Sequence, residues 1–255
     1  MSIALTVLGK SPSWQDRDGA CSGYLIRSGS LRILLDCGSG VFAKLRRFES
    51  YAQVGAVVIS HLHADHVLDL VPFAYALTHG EDAGSARPAL HVPPDARAPL
   101  RRLCGLWGSE DLIENAFELR EYDPAGGLDL DGVGVRFQPV PHYVPTNAVA
   151  VRAGGSRLVF SADCGPNEEL VEFARGVDLL LIESTLLDQP PLGDGEPAGH
   201  LSAAQAGAIG RRAGAARVVL THFSDQLDAG ALRERAQASF GGAVELASEG
   251  ATFEV

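Results

Sequence analysis

Apolar and polar residues alternate along the first sixty positions in a way that predicts short strands joined by tight turns: 3–8, 22–28 and 31–36, the last two linked at Ser28-Gly29-Ser30. A helix is expected over about 41–49, and the apolar, β-branched run Ala56-Val57-Val58-Ile59-Ser60 reads as a buried strand. Positions 67–77 have helical spacing, whereas 80–100 carry Gly, Pro, Ser and charge, as expected of a surface excursion around one short strand. Strands resume at 133–140, 147–153, 157–161 and 177–183, with a Gly154-Gly155 hairpin turn between the second and third. A helix over 201–213, a strand over 216–221, a helix over 227–238 and two terminal strands complete the pattern. Strands grouped in both halves with helices between them predict an α/β chain of four layers, sheet packed on sheet with helices outside, in one domain spanning residues 1–255.

The segment His61-Leu62-His63-Ala64-Asp65-His66 follows the strand at 56–60 directly, so a strand end delivers three imidazoles and a carboxylate into one loop. Three of the chain's 8 histidines lie in these six residues, which is not random scatter. Imidazole suits zinc, iron and similar ions, and a carboxylate favours a harder, Lewis-acidic site, so metal-assisted hydrolysis is the first chemistry to consider. His142, Asp163, Glu183, His200 and His222 follow or lie near predicted strand ends in the second half and are candidates to converge on that loop. His79 and His91 fall outside the pattern.

Composition narrows the partners. The 255 residues are 46% hydrophobic and 21% charged, ordinary for a globular protein, and no run approaches the ~20 apolar residues of a membrane helix. The N-terminus reads as a first strand rather than a signal peptide, so no membrane association and a cytoplasmic location are expected. A net charge of -11 repels long polyanions and favours a small substrate over nucleic acid. The pairs Arg46-Arg47, Arg101-Arg102 and Arg211-Arg212 read as solvated helix faces. Cys21, Cys37, Cys104 and Cys164 show no C-x-x-C spacing and are expected as buried thiols, with Cys164 the one to watch because it follows Asp163. The polar loop 10–20 is long enough to cover a site, and Trp14, Tyr143 and Trp107 are aromatics that could stack on a base.

Taken together, H-x-H-x-D-H at 61–66, a later isolated His142, Asp163 after a strand and His222 after another resemble the metallo-β-lactamase superfamily across nearly the whole chain. Leu34-Leu35-Asp36-Cys37-Gly38 is similar to the family's early L-x-D-x-G turn, whose Asp supports the ligand loop. The resemblance implies an αββα sandwich and two divalent ions, zinc first, with manganese or iron accepted by the same donors. Carried over, His61, His63 and His142 would hold one ion, Asp65, His66 and His222 the other, and Asp163 would bridge them. A metal-bridging hydroxide would attack the substrate, with Asp65 part of the catalytic machinery.

Glu183-Ser184-Thr185 and Gly199-His200-Leu201-Ser202 resemble the Glu and His motifs of the ribonuclease Z-like branch, where the carboxylate keeps the imidazole protonated as a general acid for the leaving group. Only about twenty residues separate His142 from Asp163, leaving no room for the long arm with which ribonuclease Z holds transfer RNA. The chain is more similar to actinobacterial cyclic-nucleotide phosphodiesterases of this fold. The shared features are Ser22-Gly23-Tyr24-Leu25, the H-L-H-A-D-H-x-L-D-L run at 61–70, Ala174-Arg175-Gly176-Val177-Asp178 and Thr252-Phe253-Glu254-Val255. A dinuclear phosphodiesterase acting on a small phosphodiester, first a 3',5'-cyclic nucleotide, is therefore expected, with a homodimer left open. A ribonuclease Z-like endonuclease and a lactonase or thioesterase are the alternatives. A noncatalytic protein on this fold would be expected to have lost ligands, and a di-iron redox role would call for an attached flavin domain.

Overall fold

The computed structural model describes residues 2–190 and 198–255. Its first half runs β1 (Ala4–Gly9), β2 (Gly23–Ser28), β3 (Leu31–Leu35), α1 (Val41–Leu45), β4 (Ala56–Val58), α2 (Ala64–Val67), α3 (Leu70–His79), β5 (Ala89–Val92), α4 (Arg97–Gly105), α5 (Leu112–Ala116) and β6 (Glu118–Glu121). The second runs β7 (Leu128–Leu130), β8 (Val133–Val140), β9 (Thr146–Ala153), β10 (Ser156–Phe160), α6 (Glu168–Phe173), β11 (Leu179–Glu183), α7 (Ala203–Ala213), β12 (Arg217–Thr221), α8 (Ala229–Phe240), β13 (Val244–Leu246) and β14 (Thr252–Glu254).

Two seven-stranded sheets result, ordered β14-β1-β2-β3-β4-β5-β6 and β13-β12-β11-β10-β9-β8-β7. In each, antiparallel hairpins give way to parallel strands: β3 through β6 in the first sheet, β10 through β13 in the second. The period-2 pattern explains the layering. Leu5, Val7, Tyr24, Ile26, Ile33, Leu35 and Val58 point between the sheets to meet Phe160, Leu179, Leu181 and Val219. The alternate residues Leu25, Leu34 and Val57 face α1, α3, α4 and α5, and Val159, Leu180, Ile182 and Leu220 face α6, α7 and α8. The expected αββα arrangement is thus the observed one. Tyr24 ties the sheets together at the edge that carries the chemistry: its ring lies 5.1 Å from that of Phe160, and its hydroxyl bonds Thr221 Oγ1 at 2.7 Å.

Three local expectations change. The helix over 41–49 ends at Leu45, where the turn tightens to three-residue bonds and Glu49 reaches back to Arg27 and Arg32 on β2 and β3. The helix over 67–77 is two helices, α2 and α3. Pro72 has no N–H to offer Leu68, and the Asp69 N–H is taken by the Cys37 carbonyl at 3.0 Å while Asp69 Oδ2 accepts from Phe42 N. The excursion over 80–100 contains β5 as expected, but the stretch from 97 to 130 also forms α4, α5, β6 and β7; β6 is polar and mostly exposed, so apolar alternation has nothing to register there. The last strand, β14, crosses back to pair with β1 in the first sheet. No helix among the described residues is long and apolar enough to cross a membrane.

Candidate metal centre

Six strand ends meet at one edge of the sandwich. Asp36 follows β3, Ser60 and His61 follow β4, His142 follows β8, Asp163 follows β10, Glu183 ends β11 and His222 follows β12. Because β3 and β4 run parallel, as do β10, β11 and β12, their C-terminal ends fall on the same side by topology alone. Asp65 and His66 are added from α2. Asp36, Ala162 and His222 adopt left-handed backbone at φ 57°, 53° and 55°, a conformation costly for non-glycine residues and typical of sites where geometry is held against local preference.

The donor atoms pack against one another. His63 Nδ1 lies 3.2 Å from His61 Nε2 and 3.1 Å from His142 Nε2. Asp163 Oδ2 lies 3.2 Å from His222 Nε2, 3.4 Å from His66 Nε2, 3.8 Å from His61 Nε2 and 3.9 Å from His142 Nε2. Asp65 Oδ2 is 3.2 Å from His222 Nε2 and 3.4 Å from His66 Nε2. These residues form two groups that could each hold an ion, His61, His63, His142 and Asp163 on one side and Asp65, His66, Asp163 and His222 on the other, and both groups include Asp163.

Hydrogen bonding at the far side of four of the five rings fixes which nitrogen faces the centre. His142 Nδ1 donates to the Gly199 carbonyl at 2.7 Å, and His66 Nδ1 donates to Asp36 Oδ2 at 2.7 Å. Ser60 Oγ donates to Asp36 Oδ2 at 2.8 Å and so accepts from His61 Nδ1 at 3.0 Å. Thr185 Oγ1 donates to Glu183 Oε2 at 2.8 Å and accepts from His222 Nδ1 at 2.8 Å. In all four rings Nε2 is left as a lone pair aimed at its neighbours. Converging lone pairs and carboxylate oxygens repel unless cations lie between them, and His66 Nε2 and Asp163 Oδ1 are buried with no hydrogen-bond partner. The donor set therefore fits two divalent ions with nitrogen and oxygen ligands.

The electrostatics agree. Burial opposes ionisation of Asp163, but His222 and His66 outweigh it and hold its carboxyl well below the carboxylate range. Asp65 is likewise held low against burial, by the adjacent His222 and His66. Burial, reinforced by the neighbouring His66, pushes His61 well below the usual imidazole range. His66 goes the other way: burial disfavours its charge, yet Asp163 and Asp36 lift it well above that range, a field that would equally favour a cation at Nε2.

Glu183, fully buried, joins this centre to His200. His200 Nδ1 donates to Glu183 Oε1 at 2.9 Å, and the same oxygen accepts from Cys164 N at 2.9 Å. Burial works against a charged His200, but the hydrogen bond and charge of Glu183 prevail and raise its pKa. His200 Nε2 is then left for the cleft of about 410 Å³ lined by His63, Asp65, Asp163, Thr185 and His222, with Pro12, Ser13, Trp14 and Tyr143 also on its walls.

All nine expected site residues thus come together: His61, His63, Asp65, His66, His142, Asp163 and His222 at the centre, Glu183 and His200 beside it. Loop 10–20 reaches the cleft through Pro12 to Trp14, but Trp107 does not line it. The four cysteines are buried and free. The Cys164 side chain packs into the apolar layer beneath α6 and α7, and only its backbone serves the site. None of the arginine pairs lines the cleft; Arg101 and Arg212 form surface ion pairs with Asp111 and Glu168. Sequence reasoning missed Ser60 and Thr185. Their position next to His61 and two residues beyond Glu183 is the signal that could have found them, since ligand imidazoles need a polar partner.

Comparison with known proteins places this geometry in context. The model of the Beta-lactamase superfamily domain matches residues 31–223. The chain is 30% identical over 261 residues to a Bacillus subtilis protein named "Probable metallo-hydrolase YhfI", covering 99% of this chain and 100% of that protein. It is 29% identical over 304 residues to the ribonuclease Z of Myxococcus xanthus, covering 99% and 98% respectively. The crystal structure of YhfI, described as a metallo-beta-lactamase fold protein, superposes with a TM-score of 0.88 at 27% identity over 100% of both chains.

Asp36→Ala leaves His66 Nδ1 and Ser60 without their acceptor while removing no proposed ligand. Its metal affinity, followed by competition with a chromophoric chelator, is expected to fall ~10- to 100-fold. Unchanged affinity would mean that the Asp36 contacts do not set the ligand geometry.

Proposed function

The chain belongs to the β-lactamase superfamily, in its ribonuclease Z-like branch, and is a metal-dependent hydrolase; from that premise we propose that it opens a small phosphodiester, a 3',5'-cyclic nucleotide, to a monoester. In this reading residues 1–255 act as one catalytic domain, with His61, His63 and His142 holding one ion, Asp65, His66 and His222 the other, and Asp163 shared. Zinc is the ion proposed first, given four of the rings presenting Nε2. When bound, the ions supply Lewis acidity that neutralises phosphoryl oxygens and lowers the pKa of water.

The observation that carries the phosphodiester reading is the Glu183–His200 pair beside the shared carboxylate. Phosphodiester cleavage ends with a poor alkoxide leaving group that must gain a proton. In this reading His200, whose pKa Glu183 raises and whose Nε2 faces the cleft, donates it. Asp65 and Asp163, held ionised, accept rather than donate protons. Thr185 couples the two halves, since its hydroxyl bonds Glu183 and also receives His222 Nδ1.

The small-substrate reading draws on charge and space. No Lys or Arg lines the cleft among the described residues, so a polynucleotide flanking the scissile bond would find no phosphate contacts there. The interval from His142 to Asp163 is filled by the β9–β10 hairpin. Similarity to a ribonuclease Z favours the second reading, an RNA endonuclease, which the same experiment addresses.

Chromatographic analysis of the metal-loaded protein incubated with 3',5'-cyclic AMP, with precursor transfer RNA and an acyl lactone in parallel, is expected to show 5'-AMP as the product. An Asp163→Ala variant should form none. Survival of cyclic AMP with cleavage of either parallel substrate would replace the proposal with that activity.

The general-acid role has its own signature. Because Glu183 raises the His200 pKa, the protonated form persists to higher pH, and kcat for a substrate with an alkoxide leaving group should fall only above that raised value. Glu183→Gln removes the charge, so the basic limb is expected to move to lower pH, with a much smaller effect on an activated nitrophenyl ester. An unmoved limb, or equal losses on both substrates, would exclude His200 as the acid.

A further inference from the structure

An aromatic surface adjoins the acid. Tyr143, directly after His142, is 62% exposed, yet its ring position is set from beneath. A Cβ at Gly199 would meet the ring Cζ at 2.3 Å, so the ring rests on backbone that only glycine leaves bare. The Gly199 carbonyl in turn accepts the His142 Nδ1 proton, tying this seat to the metal centre. The Tyr143 ring centroid is 5.0 Å from that of His142 and 5.8 Å from that of His200.

Trp14, 51% exposed, reaches the same cleft from loop 10–20, and that loop is tethered. Lys10 pairs with Asp16 and donates to the Phe223 carbonyl at 2.8 Å, and Asp225 N donates to Asp16 Oδ1 at 2.9 Å. Both aromatics therefore stand in place before substrate arrives, with their polar neighbours engaged elsewhere.

We propose that Tyr143 is the stacking platform for a planar, uncharged group on the leaving side of the substrate, a nucleobase, and so determines which phosphodiesters are taken. This rests on the phosphodiester reading above. His200 protonates the leaving oxygen, so whatever that oxygen carries emerges beside His200, where the Tyr143 face is the large exposed surface. With no Lys or Arg on the cleft wall among the described residues, that moiety is selected by its flat apolar face rather than by further charge. The Tyr143 hydroxyl has no part in the contact, so phenylalanine should serve equally well.

The test is calorimetric binding of 5'-AMP and of ribose 5-phosphate to the metal-loaded protein, which needs no turnover. The wild type is expected to prefer 5'-AMP by about tenfold or more, the range of one base–aromatic stack. The preference should collapse toward unity in Tyr143→Ala and persist in Tyr143→Phe. A preference intact in Tyr143→Ala, or none in the wild type, would overturn the platform. Failure of the phosphodiester reading shows separately, as survival of cyclic AMP with the wild type while the binding preference stands.

Discussion

The buried carboxylate of Asp36 is the contact on which the rest of the site depends. Oδ1 accepts from Ser60 N at 2.7 Å, and Oδ2 accepts from Ser60 Oγ at 2.8 Å and His66 Nδ1 at 2.7 Å. One side chain at the end of β3 thereby sets the path of the chain leaving β4, the rotation of His66 and, through Ser60, the tautomer of His61. The fold supports this placement: β3 and β4 are parallel neighbours, so the end of one lies beside the end of the other, and the left-handed backbone at Asp36 turns the carboxylate inward. A second anchor works from the opposite sheet, where Glu183 and Thr185 hold His200 and His222.

Between these anchors lies an arrangement that makes little sense without cations. Imidazole nitrogens and ionised carboxylates approach to between 3.1 and 3.9 Å in a region where His61 and His66 have no solvent exposure. Desolvation penalises charge there unless opposite charge accompanies it. The remainder of the cleft supplies no Lys or Arg among the described residues and presents aromatic rings instead. On the proposed reading, charge recognition falls to the centre and shape recognition to its rim.

Much of this was legible in the sequence because the chemistry is concentrated at strand ends. The apolar runs at 56–60 and 216–221 announced both the strands and the loops that follow, and the clustering of His61, His63 and His66 needed no structure to be noticed. What stayed hidden was set by contacts distant in sequence. Ser60 and Thr185 look like ordinary loop residues until the imidazoles they hold are placed beside them. The break between α2 and α3 depends on the Cys37 carbonyl claiming the Asp69 N–H, and the short polar β6 and β7 lack the apolar alternation that marks the other strands. The return of β14 to β1 is a pairing across almost the full chain length, for which local pattern carries no signal.

On the proposed reading two ions share Asp163. Anomalous diffraction at the zinc edge from crystals of the zinc-loaded protein tests it directly. Two peaks are predicted on either side of the Asp163 carboxylate, one ringed by His61, His63 and His142, the other by Asp65, His66 and His222. A single peak, or peaks away from Asp163, would contradict the account.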